Sequence, residues 1–187
     1  MGKSWPRVGA AVLAAAARKL GWRYKCEMRT ITISWEDPRP SFERGKTMSG
    51  LDYLRLMQSG ELPPPPIARL LGFRLAEVEP GVVVFECEPG EQHYNPIGVV
   101  HGGLAATLLD SAMGCAVHST LPAGAAYTTL EIKVNYIRAI SAATGLVRAR
   151  GSIIHAGRST ATADGRLEDG AGKLLAHATT TCLVLRR

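Results

Sequence analysis

The stretch from Gly102 to about Ser119 constrains this chain more than any other. It is rich in Ala, Leu and Met and free of proline, and so reads as one long helix that is apolar on most of its sides. A helix with no wet face must be enclosed. The flanking text supplies the enclosure, because outside this helix the hydrophobic period changes to two. Phe73–Glu79 and Val82–Glu88 read as strands joined in a hairpin at Pro80 and Gly81. After the helix, Leu130, Ile132, Val134 and Tyr136 alternate with Glu131, Lys133 and Asn135. Three further strands follow at about Thr144–His155, Arg158–Leu167 and Lys173–Leu185. The predicted fold class is α+β, in the order β-β-α-β-β-β-β, with one buried helix wrapped by an antiparallel sheet.

The rest of the chain divides by composition. Of 187 residues, 22 are Lys or Arg and 16 are Asp or Glu, a net charge of +6. Residues 1–27 hold six of those basic residues against Glu27 alone, which leaves a nearly neutral body and argues against a nucleic-acid-binding face. This basic, alanine-rich leader is too short to span a bilayer, and Arg18 and Lys19 follow its apolar run where a secretory signal needs a small-residue cleavage site. Residues 28–66 read as an N-terminal extension: polar text broken by Pro38 and Pro40, a short amphipathic helix around Leu51–Met57, and the extended run Pro63–Pro66. One helical turn, Ile67–Leu71, ended by Gly72, opens the main domain, 67–187. Cys26, Cys87, Cys115 and Cys182 are scattered, with no CxxC, as in a reducing compartment such as the cytoplasm. The five histidines form no HxxxH or HExxH, so no metal is expected.

Chemistry is concentrated between Asn95 and Ser111. Gly102 and Gly103 open the helix and leave backbone N–H groups unobstructed at its positive end, where a carbonyl is polarised or an oxyanion held; the same glycines also permit a tight turn or close packing. Asp110 is the only acidic residue between Glu91 and Glu131 and sits among Leu108, Leu109, Ala112 and Met113. A carboxylate there is either a general base or nucleophile, or a structural group held by a neighbour. Gly102 and Asp110 are eight positions apart, roughly 12 Å along one helix, so one helix cannot aim both at one carbonyl. Two antiparallel helices in a two-fold dimer bring Asp110 of one subunit to Gly102 of the other. Strand alternation puts Thr129 on the side of Glu131 and Lys133. The small residues Ala112, Gly114 and Ala116 leave room beside the helix, and are equally what tight helix-on-sheet packing requires.

The block Asn95 to Asp110, in which HGG is followed by six residues and Asp, resembles the hotdog-fold acyl-CoA thioesterases of the phenylacetate-degradation (PaaI-like) type. The run Tyr127–Arg138, His155-Ala156-Gly157-Arg158 and Gly172-Lys173-Leu174-Leu175-Ala176 extend the resemblance over about Ser49–Leu185. The resemblance implies a hotdog fold and a homodimer, often doubled into a tetramer. It also implies hydrolysis of acyl-CoA thioesters with no cofactor, CoA being part of the substrate. Asp110 is then the general base or nucleophile and the Gly102 amide polarises the carbonyl. Asn95 contacts the carbonyl or orients water, and Thr129 assists the water or carboxylate across the interface. His101, which fixes the loop by hydrogen bonds, and Gly103 are then candidates for substrate binding. Arg138, Arg158 and Lys133 are candidates for the CoA phosphates, and Gly157 allows a ligand close to the strand end. The competing reading is a non-catalytic acyl-CoA-binding or sensing hotdog protein.

Overall fold

The computed structural model describes residues 27–186. The chain divides into two units between Thr32 and Ile33. In the first, residues 27–32 are exposed and carry no helix or strand, and the leader expected at 1–27 lies, apart from Glu27, outside the described residues. The second unit runs from Ile33 to Arg187.

Helices α1 (Arg39–Gly45), α2 (Gly50–Ser59) and α3 (Pro66–Leu71) lead into β1 (Phe73–Glu79) and β2 (Val82–Cys87). Then come the long helix α4 (Gly102–His118) and four strands: β3 (Ala125–Tyr136), β4 (Val147–Ala156), β5 (Thr160–Asp169) and β6 (Leu174–Arg186). This is the order read from the sequence. α1 is a helix the sequence reading treated as broken polar text. Its proline falls in the first turn, where the missing N–H costs nothing and the fixed φ favours the helix. α2 is capped by Ser49, whose hydroxyl oxygen accepts the Asp52 N–H, and it ends on Gly60 at φ 83°.

The six strands form one antiparallel sheet in the order β1-β2-β4-β5-β6-β3. α4 lies against its inner face, with Leu108, Leu109, Ala112, Met113, Ala116 and Val117 at most 1% exposed. The helix backbone comes close to the sheet at Gly151 of β4, where a Cβ would lie 2.3 Å from the carbonyl carbon and oxygen of Ala112. Two glycines facing the helix, Gly151 and Gly165, therefore let it sink into the curved sheet. α4 runs antiparallel to the edge strand β3, so that Gly102 lies beside Tyr136, Asp110 beside Thr129, and Gly114 beside Tyr127. No helix among the described residues is long and apolar enough to cross a membrane.

Candidate functional site

The start of α4 is held by a compact loop. The Asn95 side-chain oxygen accepts the N–H groups of Ile97 (3.1 Å) and Val99 (3.3 Å), and the Asn95 N–H donates to the Val99 carbonyl (2.8 Å). This Asx-type turn spends the oxygen of Asn95 on its own loop and leaves its NH2 as a donor. The His101 N–H is anchored on the His93 carbonyl (2.8 Å) and that of Val100 on Ile140 (2.9 Å). His101 is the N-cap: its Nδ1 accepts the Gly103 N–H at 2.8 Å, which places the proton of the neutral ring on Nε2. The Gly103 amide is thereby occupied, while the Gly102 N–H has no hydrogen-bond partner among the described residues. Gly102 opens on a cleft of about 270 Å³ lined also by His101, Tyr136, Ile137, Arg138 and Ile140. The Tyr136 hydroxyl donates to the Gly102 carbonyl (3.2 Å), and its ring lies 3.1 Å from where a Gly102 Cβ would stand. A free amide at the positive end of a seventeen-residue helix, facing a cleft, is an electrophilic site.

Asp110 lies two helical turns further on and is half-buried. The Thr129 hydroxyl donates to its Oδ1 at 3.1 Å. This corrects the alternation argument, which put Thr129 on the side of Glu131 and Lys133. The pairing of β3 with β6 slips between Thr129 and Glu131, so Leu130 is an extra residue. A bulge of one residue inverts the phase of a strand. Ala125, Tyr127 and Thr129 face inward before it, Ile132 and Val134 after it, and Leu130 is 57% exposed.

Around this pair the surroundings are apolar and the neighbouring acids stay protonated. Burial, with the Asp110 charge behind it, pushes the Cys115 thiol up to about 12 against a hydrogen bond from Tyr127. The Tyr127 phenol is held well above its usual range by burial first and by nearby Cys115, Cys182 and Asp110 next. Burial also raises Cys182, which pairs with Thr129 across the β3–β6 ladder. No group of three His, Cys, Asp or Glu among the described residues is placed to hold a metal ion.

The candidates thus fall into three places. Asn95, His101, Gly102, Gly103 and Arg138 gather at the start of α4, where Arg138 also donates to the Leu174 carbonyl. Asp110 and Thr129 form the second cluster. Gly157 and Arg158 lie in the β4–β5 hairpin; a Gly157 Cβ would stand 2.7 Å from the Thr160 carbonyl oxygen, so the hairpin itself requires that glycine. Tyr136 and Tyr127 were missed by the sequence reading, although both are polar-tipped aromatics on the side of β3 that faces the helix.

A long helix wrapped by an antiparallel sheet is the architecture of a hotdog-fold thioesterase. The chain belongs to the thioesterase superfamily, whose family model matches residues 97–176. It is similar to a 1,4-dihydroxy-2-naphthoyl-CoA hydrolase of Listeria monocytogenes, 29% identical over 63% of this chain and 94% of that protein. It is 37% identical to acyl-coenzyme A thioesterase 13 of Homo sapiens over 37% of this chain and 49% of that protein. Among solved structures, a phenylacetic acid degradation-related protein of Ralstonia eutropha JMP134 superimposes with a TM-score of 0.64 at 33% identity, covering 70% of this chain and 98% of that one.

Proposed function

We propose that the protein hydrolyses acyl-CoA thioesters to the free acid and CoA, with Asp110 as general base or nucleophile and the Gly102 amide polarising the carbonyl. The observation that carries the reading is the pairing on one helix of an N-terminal amide, unpartnered among the described residues, with a half-buried aspartate oriented by a threonine hydroxyl. Attack on the thioester carbon drives charge onto its oxygen, where the Gly102 N–H and the Asn95 NH2 donate. Asp110 either takes the proton of the attacking water, whose oxygen enters the acid, or itself attacks to form a mixed anhydride that a water then hydrolyses to the acid and free Asp110. In both routes the C–S bond breaks and CoA leaves as the thiolate. Thr129 holds the carboxylate, and His101 fixes the loop. Arg138, beside Leu175 at the start of β6, meets the CoA phosphates; Arg158 sits at the other end of β6, next to the Ser159 carbonyl that takes the Val184 N–H, and joins Arg138 only from a second copy.

Gly102 and Asp110 belong to one α4, roughly 12 Å apart along its axis, so the working site takes Asp110 from one subunit and Gly102 from a second copy. Two features support a two-fold pairing through β3. That strand is one of the two open edges of the sheet, and Glu131 and Lys133 flank Ile132 on its outer face, so pairing about Ile132 sets each glutamate opposite a lysine. Thiol release from a panel of acyl-CoAs tests the reading. Asp110→Asn is expected to lower the rate about a hundredfold or more while acyl-CoA binding persists. Equal rates in both proteins would sink the role of Asp110, and binding without turnover on any acyl chain would favour a sensing protein.

A further inference from the structure

Asp110, Gly114 and His118 follow one another along α4 at four-residue steps of about 6 Å. β3 answers them with Thr129 and Tyr127, two residues and about 6.8 Å apart, so the two elements keep step. Thr129 takes Asp110. Tyr127 takes the space that Gly114 leaves: a Cβ there would stand 2.7 Å from the Tyr127 hydroxyl oxygen and 3.0 Å from its ring. The Tyr127 ring lies 5.6 Å from that of His118, which in turn meets Tyr53 edge-on at 5.9 Å. His118 and Tyr53, with Phe42, Lys46, Ala125 and Ala126, line a pocket of about 170 Å³. Its volume matches a single ring or the end of an alkyl chain, with the Lys46 ammonium at its wall. Tyr127 fills the helix–strand seam between Asp110 and that space, over Gly114.

We propose that Tyr127 sets the length of acyl group the protein accepts, by plugging the seam between Asp110 and the cavity beside His118. The proposal rests on hydrolysis at Asp110. An acyl group attached to a thioester there has about one helical turn, roughly 6 Å, before it meets the phenol. Short acyl groups fit ahead of the plug; long ones need the space behind it. Gly114 makes the plug possible, since any larger residue there displaces the phenol.

Butyryl-CoA and dodecanoyl-CoA test this in the full chain. In Tyr127→Ala the ratio of kcat/KM for the long over the short substrate is expected to rise at least about tenfold, whereas Tyr127→Phe, which keeps the ring, leaves the ratio where it was. Tyr127→Val, better suited to a strand, serves if the alanine variant is too unstable. Binding of the same two ligands in an Asp110→Asn background, with and without Tyr127→Ala, separates the two ideas. A shift in relative affinity without turnover in any Asp110-containing protein leaves the length limit standing and overturns hydrolysis. Active protein whose long-to-short ratio is the same with and without Tyr127 overturns the length limit alone.

Discussion

At the scale of single residues, the hydrogen bond from Thr129 does what an isolated carboxylate on an apolar helix needs: it satisfies one oxygen and fixes the other's direction. Thr129→Val keeps the shape and deletes the donor. A bond to a charged group is worth about 1.5–3 kcal/mol, so kcat is expected to fall roughly tenfold to a hundredfold with KM little moved, and Thr129→Ser to recover most of it. Steady-state kinetics on one acyl-CoA checks both. Asp110 and Gly102 were legible in the sequence because each breaks a local rule, a carboxylate among aliphatics and paired glycines at a helix start. The orientation of Thr129 was not, because it depends on one unpaired residue next door. Tyr127 and Tyr136 gave no such signal, since an aromatic on a strand reads as ordinary packing.

At the scale of elements, period and turn chemistry located the strands closely where they are regular. β1 spans the residues expected, and β2 stops one residue short of the expected Glu88. β3 begins at Ala125, five residues before the sequence reading placed it, because the bulge at Leu130 breaks the alternation that marks a strand. β4 starts at Val147 instead of Thr144, as Ala142–Thr144 close a 3₁₀ turn first. The contact of α4 with the sheet has its own test. Gly151→Ala drives a methyl into the Ala112–Met113 peptide, which is backbone and cannot step aside. It should cost about 1–3 kcal/mol or more, read as a lower unfolding midpoint. Gly170→Ala, where the nearest atom is 4.0 Å away, should stay within about 0.5 kcal/mol of the parent.

At the scale of the whole molecule, the net charge of +6 says little about the site, because six of the basic residues lie in the first 25 positions, outside the described residues. The open edge at β3 matters more, since the proposed site needs a second copy. Gly102→Pro removes the amide at a helix position whose backbone suits proline, after a residue already extended at φ −61° and ψ 132°, and Gly102→Ala, which crowds Tyr136 through its Cβ but keeps the amide, is its control. Alone, Gly102→Pro and Asp110→Asn should each be nearly inactive. Mixed and allowed to exchange subunits, they should regain about a quarter of the parent activity, because half the dimers are mixed and each mixed dimer holds one intact site. Recovery of nothing would mean that each chain works alone. The extra residue at Leu130 bears on any transplant of this scaffold. It acts as a shift of reading frame within the strand, so a graft or chimera that counts residues from either end without it delivers Thr129 to the solvent and leaves Asp110 facing the wrong neighbour. Removing that one exposed leucine would undo the site while every residue named in it was still present.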